Sequence, residues 1–249
     1  MNFSELKEHT DLVGKYYGSE SLSIHLYSWV RMLKPKVCVE FGTGLGSASL
    51  WMGAALKENG SGVVHTVDNA SQWTGMQKYL EDNDQHYQFY DEYLDHTINK
   101  FDLNDYIKYH SMNTHEFSDD VLSKIDDEVG ILFSDYRHGP MCIIDLLSKF
   151  LPYMAEESLI FIDSAPSYYP SYSMMKDLIQ QLNSGKDIKL LNMWANDVDA
   201  LRDKIRTSRF DLINIYKLKG KKKQNSTAVI KITSNDVFPP HDVGITGLT

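Results

Sequence analysis

Val37-Cys38-Val39-Glu40-Phe41-Gly42-Thr43-Gly44-Leu45-Gly46-Ser47 is the stretch that decides the fold of this 249-residue chain. A short apolar run rich in β-branched residues passes through an acid, and three glycines follow at alternate positions. Beyond them Leu50, Trp51, Ala54, Ala55 and Leu56 recur at three- and four-residue intervals, the period of a helix with an apolar face. Strand, glycine turn and helix, in that order, open a parallel α/β sheet, whose ligands lie at the carboxyl ends of its strands. Glycine in such a turn lets backbone approach a nucleotide where any Cβ would collide.

The glycine spacing is more telling than the glycine count. A dinucleotide cradle of the G-x-G-x-x-G kind needs glycine at position 47, where Ser47 stands, and the third glycine comes one residue early. The next strand reads Gly62-Val63-Val64-His65-Thr66-Val67-Asp68 and ends in an acid 22 residues after Gly46. A carboxylate there accepts the ribose hydroxyls of a nucleoside. Taken together, E-x-G-x-G-x-G and the acid closing the second strand resemble the cofactor site of class I S-adenosylmethionine (SAM) methyltransferases. The resemblance covers about residues 20 to 233. It implies a Rossmann-like, doubly wound α/β fold with a mostly parallel sheet and a C-terminal antiparallel hairpin. It also implies SAM as cofactor, admitted to the backbone by Gly42, Gly44 and Gly46 with Thr43 and Ser47 between and beside them. On the same footing Glu40 organises the turn or binds the methionine ammonium, and Asp68 takes the ribose.

Composition narrows the partners. With 42% hydrophobic and 24% charged residues the chain has the make-up of a soluble globular protein, long enough for one sizeable core. A net charge of −9 repels phosphate backbones and argues against a nucleic-acid substrate. Only Cys38 and Cys142 occur, which suits a reducing compartment and gives no disulfide framework or zinc site. The first residues contain no apolar signal segment, and no stretch approaches the ~18 apolar residues of a membrane span, so a cytoplasmic protein is expected. A homodimer is left open. The expected division is a helical cap over residues 1–35, a SAM-binding domain over 36–233 and a tail over 234–249.

Along the chain, residues 1 to 20 read as a polar and aromatic lead, broken at Tyr16-Tyr17-Gly18 before a helix that carries Leu22, Ile24, Leu26, Trp29, Val30 and Leu33. In the resembled family such a helix helps cover the cofactor. After Asp68 a long connection holds two helices, near Trp73 to Leu80 and Tyr90 to Phe101, before a third strand at Ile107-Lys108-Tyr109-His110. A minimal crossover needs about a dozen residues, so part of 69–105 is an insertion. A short helix over Asp119 to Ile125 leads to a fourth strand at Val129 to Phe133. A helix over Met141 to Phe150 leads to a fifth at Ser158 to Ile162, followed by a helix over Tyr172 to Leu182. Phe210 to Tyr216 and Ser226 to Ile232 leave no room for a crossover and predict an antiparallel hairpin, with the lysine run 217–223 as its solvated tip.

Sites in this architecture assemble from the strand ends. Met112-Asn113-Thr114 follows the third strand, and Asn113 falls where the resemblance implies an acid that accepts from the adenine amine; a plain turn residue is the competing reading. Ser134-Asp135-Tyr136-Arg137-His138 follows the fourth and resembles the Asp-x-x-His element of small-molecule methyltransferases. Asp135 is then a cleft carboxylate, and His138 the group that collects the acceptor's proton. After the fifth strand, Asp163-Ser164 departs from the Asp-Asn pair with which catechol-type O-methyltransferases hold a divalent cation. A metal-free site is therefore preferred, with magnesium on Asp135 and Asp163 as the alternative. Tyr168, Tyr169 and Tyr172 form a candidate substrate wall or, equally, helix packing.

The function expected is methyl transfer from SAM to an oxygen or nitrogen nucleophile of a small molecule by in-line displacement. Three other readings share parts of the pattern. They are an NAD-linked oxidoreductase, an enzyme in which SAM's own chain is attacked with release of methylthioadenosine, and a binding module without turnover.

Overall fold

The computed structural model describes residues 2–17, 20–216 and 226–235. Two helices, α1 (Phe3–Tyr17) and α2 (Glu20–Leu33), precede the first strand, β1 (Val37–Phe41). The helix after the glycine turn is α3 (Ser47–Asn59), followed by β2 (Val63–Asp68). The long connection carries α4 (Trp73–Glu81) and α5 (Tyr90–Lys100) before β3 (Ile107–Ser111). A single turn, α6 (Thr114–Glu116), runs into a π turn and a 3-10 turn ahead of β4 (Val129–Ser134). Then come α7 (Pro140–Phe150), β5 (Met154–Asp163), α8 (Tyr169–Asn183), the short α9 (Lys189–Asn192), α10 (Val198–Thr207), β6 (Ser208–Tyr216) and β7 (Ser226–Ser234).

These strands make one sheet in the order β3-β2-β1-β4-β5-β7-β6. The first five pair in parallel and β7 lies antiparallel between β5 and β6. The chain crosses from one half of the sheet to the other between β1 and β4. At such a switch point the loops diverge and leave a crevice over the strand ends.

Each face of the sheet carries its own core. Val37, Val39 and Phe41 of β1 point to the side covered by α7, α8 and α10. Cys38 points to the other, under α1 to α5. Helix α3 shows why that second face needs so many helices: residues 47 to 56 are all buried, leaving no solvent side over its first ten residues. A helix apolar all round must be enclosed, and α1 and α2 supply the outer wall, with Leu6, Val13, Leu22, Leu26 and Val30 buried.

The lead segment differs from its expectation. Residues 3–17 form α1 because Leu6, His9, Thr10 and Val13, spaced three and four apart, make a buried stripe. Two of the four are polar, which hides the period. Thr10 earns its place by accepting a hydrogen bond from the Trp51 indole N–H at 2.9 Å and donating its own hydroxyl to the Leu6 carbonyl. Ile24, expected in the core of α2, is 39% exposed. The region from Asp119 to Ile125 is a π turn and a 3-10 turn rather than an α-helix. Helices α9 and α10 and the first residues of β5 were not legible in the pattern. The antiparallel pair stands as expected, while its lysine-rich tip and the tail beyond Asn235 lie outside the described residues.

One glycine is fixed by the sheet itself. Gly42 has φ +89°, and a Cβ on it would sit 2.4 Å from the carbonyl oxygen of Asp135. The ends of β1 and β4 meet there backbone to backbone, and Asp135 N–H donates to the Phe41 carbonyl at 2.8 Å. Gly42→Ala must therefore strain φ and push two main chains apart. A loss of about 2 kcal/mol or more is expected in urea unfolding, with the midpoint falling and the slope unchanged. A midpoint equal to that of the wild type would show that the β1–β4 junction yields freely.

Candidate active site

A cavity of about 700 Å³ opens over the switch point. Glu40, Gly42, Thr43, Gly44, Leu45 and Ser47 form one side of it, Asp68 and Asn113 stand at the ends of β2 and β3, and Asp135 to His138 close the β4 side. Leu22 and Ser23 of α2 reach it from above, so the N-terminal helix does cover the crevice.

Glu40 lies at the base of this cavity, 1% exposed. Register puts it there: on β1 it faces Thr66 of β2, and side chains directly opposite on one face are neighbours. Thr66 Oγ1 donates to Glu40 Oε2 at 2.5 Å, and the Thr43 and Thr66 hydroxyls lie 2.5 Å apart. These bonds do not replace the water lost. Burial, reinforced by the negative charges of Asp135 and Asp68 and opposed by the hydrogen bonds from Thr66 and Ser49, pushes the Glu40 carboxyl up to about 8.

The glycine turn is gripped from both sides. Asp68 Oδ2 accepts the Gly44 N–H at 3.1 Å and Oδ1 accepts the Ala70 N–H at 2.8 Å. A carboxylate has about four lone-pair sites, so Asp68 keeps capacity for two ligand hydroxyls. On the far side two phenols of α5 donate to successive carbonyls, Tyr90 to Gly44 at 2.6 Å and Tyr93 to Leu45 at 2.9 Å. Both tyrosines are buried. The insertion thus braces the turn, a role no motif in the sequence announces. Gly46 closes the turn as the left-handed N-cap of α3, outside the cavity lining. Ser47, where a dinucleotide fold has glycine, places its hydroxyl 2.9 Å from that of Ser23.

At the other wall Asp135 meets Asp163 of β5 through a carboxyl–carboxyl hydrogen bond. Burial and the facing Asp163 charge raise the Asp135 carboxyl to about 7. Asp163 is held from behind by the hydroxyls of Thr227 at 2.9 Å and Ser164 at 2.8 Å. Ser164 is itself left-handed, with φ 57°. Among the described residues no group of three His, Cys, Asp or Glu is arranged to hold a metal ion. His138 lines the cavity, its carbonyl accepts from Ser171 of α8, and its Nδ1 is buried without a hydrogen-bond partner among the described residues.

Asn113 also lines the cavity, but its Oδ1 accepts from Asn69 Nδ2 at 2.8 Å and its N–H donates to Glu116 at 2.7 Å. The tyrosine wall stands apart. Tyr168 and Tyr169 are 51% and 75% exposed, the Tyr172 hydroxyl accepts from Asn214, and none of the three lines the cavity. Sequence reasoning missed Leu22 and Ser23, whose only signal is their place on a helix flanking β1. It quoted Tyr136 and Arg137 within the Asp-x-x-His element and gave them no role.

Tyr90→Phe leaves the Gly44 carbonyl without its buried donor. It is expected to cost about 1–2 kcal/mol in urea unfolding, against near-neutrality for Tyr87→Phe, whose ring is only partly buried. Equal effects from the two would show that the phenol on Gly44 adds nothing.

No curated protein is similar enough to match the sequence. Among solved structures, the fold is shared with the O-methyltransferase TomG of Streptomyces achromogenes, involved in tomaymycin synthesis and seen in complex with SAM. Identity is 12% over 92% of this chain and 90% of that one, with a TM-score of 0.52. An O-methyltransferase of Bacillus cereus, in complex with S-adenosylhomocysteine (SAH), gives 13%, 92%, 91% and 0.53. The family model described as "Methyltransferase domain" matches residues 39–165, just over half of the 249 residues and running from β1 past the end of β5. The chain therefore belongs to the methyltransferase domain family, as the glycine turn and strand order imply.

Proposed function

We propose that the chain transfers a methyl group from SAM to a hydroxyl of a small molecule, in the cytoplasm. The observation that carries this reading is the buried carboxyl of Glu40 at the floor of the cavity, provided with hydroxyl donors and, among the described residues, with no ion-pair partner. An α-ammonium is the group whose arrival lets that carboxyl ionise. Asp68 supplies acceptors for a ribose, while Gly42, Thr43, Gly44 and Ser47 wall the channel between the two. Gly46 serves at one remove by starting α3. Asn113, at the end of β3, reaches the adenine side once its bond to Asn69 is exchanged.

A bound SAM supplies a methyl already activated by its sulfonium. The residues of this chain then have to hold the acceptor in line, exclude water and accept one proton. Asp135 orients the accepting hydroxyl, and His138 takes its proton on the buried, unpartnered ring nitrogen or the opposite one. No metal enters this scheme, because Ser164 stands where a third donor is needed and its hydroxyl is committed to Asp163. Oxygen is preferred to nitrogen because both structural neighbours described above are O-methyltransferases. Helices α1 and α2 act as a cap on the cofactor domain. The acidic chain and a cavity of about 700 Å³ favour a metabolite over a nucleic acid.

Incubation with SAM and a fractionated metabolite pool should yield SAH and a product one methyl heavier by mass spectrometry. Methylthioadenosine in place of SAH, or no SAM consumption with any fraction, would remove the proposal. His138→Ala should lower turnover by about 10²–10⁴ with SAH affinity unchanged, whereas Asp68→Ala should weaken SAH itself.

Affinity should also depend on pH in a stated direction. The ammonium selects ionised Glu40, so the wild type releases a proton on binding. SAH affinity then rises as pH climbs toward about 8. In Glu40→Gln that rise should disappear along with most of the affinity; a titration that stays flat in the wild type would remove Glu40 from the ammonium site.

A further inference from the structure

All five arginines of the chain are described, and four sit on carboxylates. Arg31 pairs with Glu58, Arg202 with Asp187 and Asp199, Arg206 with Asp203, and Arg209 with Asp211. Among the described residues Arg137 has no carboxylate partner, in a chain with 34 acids and a net charge of −9. Arg137 is one of the residues that line the cavity on the β4 side, with its guanidinium 5.5 Å from the centroid of the Tyr136 ring.

Acids are at hand, but each is engaged elsewhere. Asp135, two residues away, turns to Asp163. Glu116, which shares the cavity wall, accepts the Asn113 N–H at 2.7 Å. Asp68 holds the Gly44 and Ala70 N–H groups. Even His115, the other basic side chain on that wall besides His138, lies 3.3 Å from Asp145. Among the described residues Arg137 is therefore the one cationic side chain of the cavity lining without a carboxylate beside it, His138 apart. A guanidinium presents five donors in a rigid fork that matches the paired oxygens of a carboxylate or phosphate, and stacking on an aromatic ring keeps that fork oriented.

We propose that Arg137 receives an anionic group of the acceptor, a carboxylate or a phosphate, so that the molecule methylated is an acid or a phosphoester rather than a neutral or cationic metabolite. This rests on the reading of the cavity as a SAM methyltransferase site. The cofactor's own carboxylate is the other source of the same chemistry, and the test separates the two.

The full chain, saturated with SAH, is titrated calorimetrically with benzoate, phenyl phosphate and, as the neutral counterpart, benzamide. The wild type should bind at least one of the anions about tenfold or more tightly than benzamide. Arg137→Gln, a change at an exposed position, should abolish that preference and leave SAH affinity unaltered, and Arg137→Lys should restore it in part. No preference for either anion in the wild type, or a preference that survives in Arg137→Gln, would overturn the inference. Loss of SAH affinity in Arg137→Gln would assign the guanidinium to the cofactor and overturn it equally. Failure of the wild type to bind SAH at all identifies the cofactor reading as the one at fault, and the inference falls with it.

Discussion

A carboxyl group enclosed beneath a turn of backbone is a costly thing to build, because burial removes the water that stabilises its charge. Glu40 is in that position, with a threonine hydroxyl on one oxygen and the end of β4 beside it. The fold around it consists largely of what keeps this arrangement closed. Strand β2 brings Thr66 into register, α3 starts immediately beyond the turn and contributes Ser49, and α2 covers the opening. A carboxyl held this way costs stability, and strongly perturbed carboxyls at the floor of a cleft are found more at binding sites than in packing.

The three glycines answer to different constraints, which their even spacing conceals. Gly42 yields to the Asp135 carbonyl, so its lack of a side chain serves the junction of two strands before it serves any ligand. Gly44 is fixed by what holds its peptide groups, Asp68 on the N–H and Tyr90 on the carbonyl. Gly46 starts a helix from a left-handed cap. The insertion between β2 and β3 belongs to the same device: Tyr90 and Tyr93 tie it to the turn, and the Trp73 and Tyr109 rings pack against Tyr90. The turn is thereby preorganised, and little ordering is left for a ligand to provide.

On the opposite wall the chemistry is arranged by exclusion. Burial and the facing Asp163 charge hold the Asp135 carboxyl protonated well above the usual carboxylate range, Ser164 in a left-handed conformation closes the end of β5, and Arg137 and His138, one without a carboxylate and the other with a buried ring nitrogen without a hydrogen bond among the described residues, line the cavity. Groups in such incompletely satisfied states cluster where a ligand completes them.

Much of this was readable beforehand because it is local in the chain. Alternation and three-to-four spacing place β1, α3 and β2 from their own residues, and the absence of a crossover between 216 and 226 dictates an antiparallel pair. Glu40, Asp68, Asp135 and His138, picked out near strand ends by their resemblance to methyltransferase motifs, all line the one cavity, since strand ends converge in a parallel sheet of this kind. Helix α1 escaped because His9 and Thr10 occupy its buried stripe, and Thr10 is tolerated there only through Trp51, 41 residues away. The tyrosine wall was expected from nearness in sequence to β5, yet the turn after Ser164 carries those rings away from the cavity. The sequence alone thus determined the alternation of strands and helices, the glycine turn after β1 and the antiparallel pair at the end, all set by periodicity, by glycine and by the length of the connections. The tertiary structure alone decided which phenols grip the turn, that Asp135 faces Asp163, and that Arg137 has no carboxylate partner among the described residues, because those are contacts between distant segments whose pairing no spacing along the chain records.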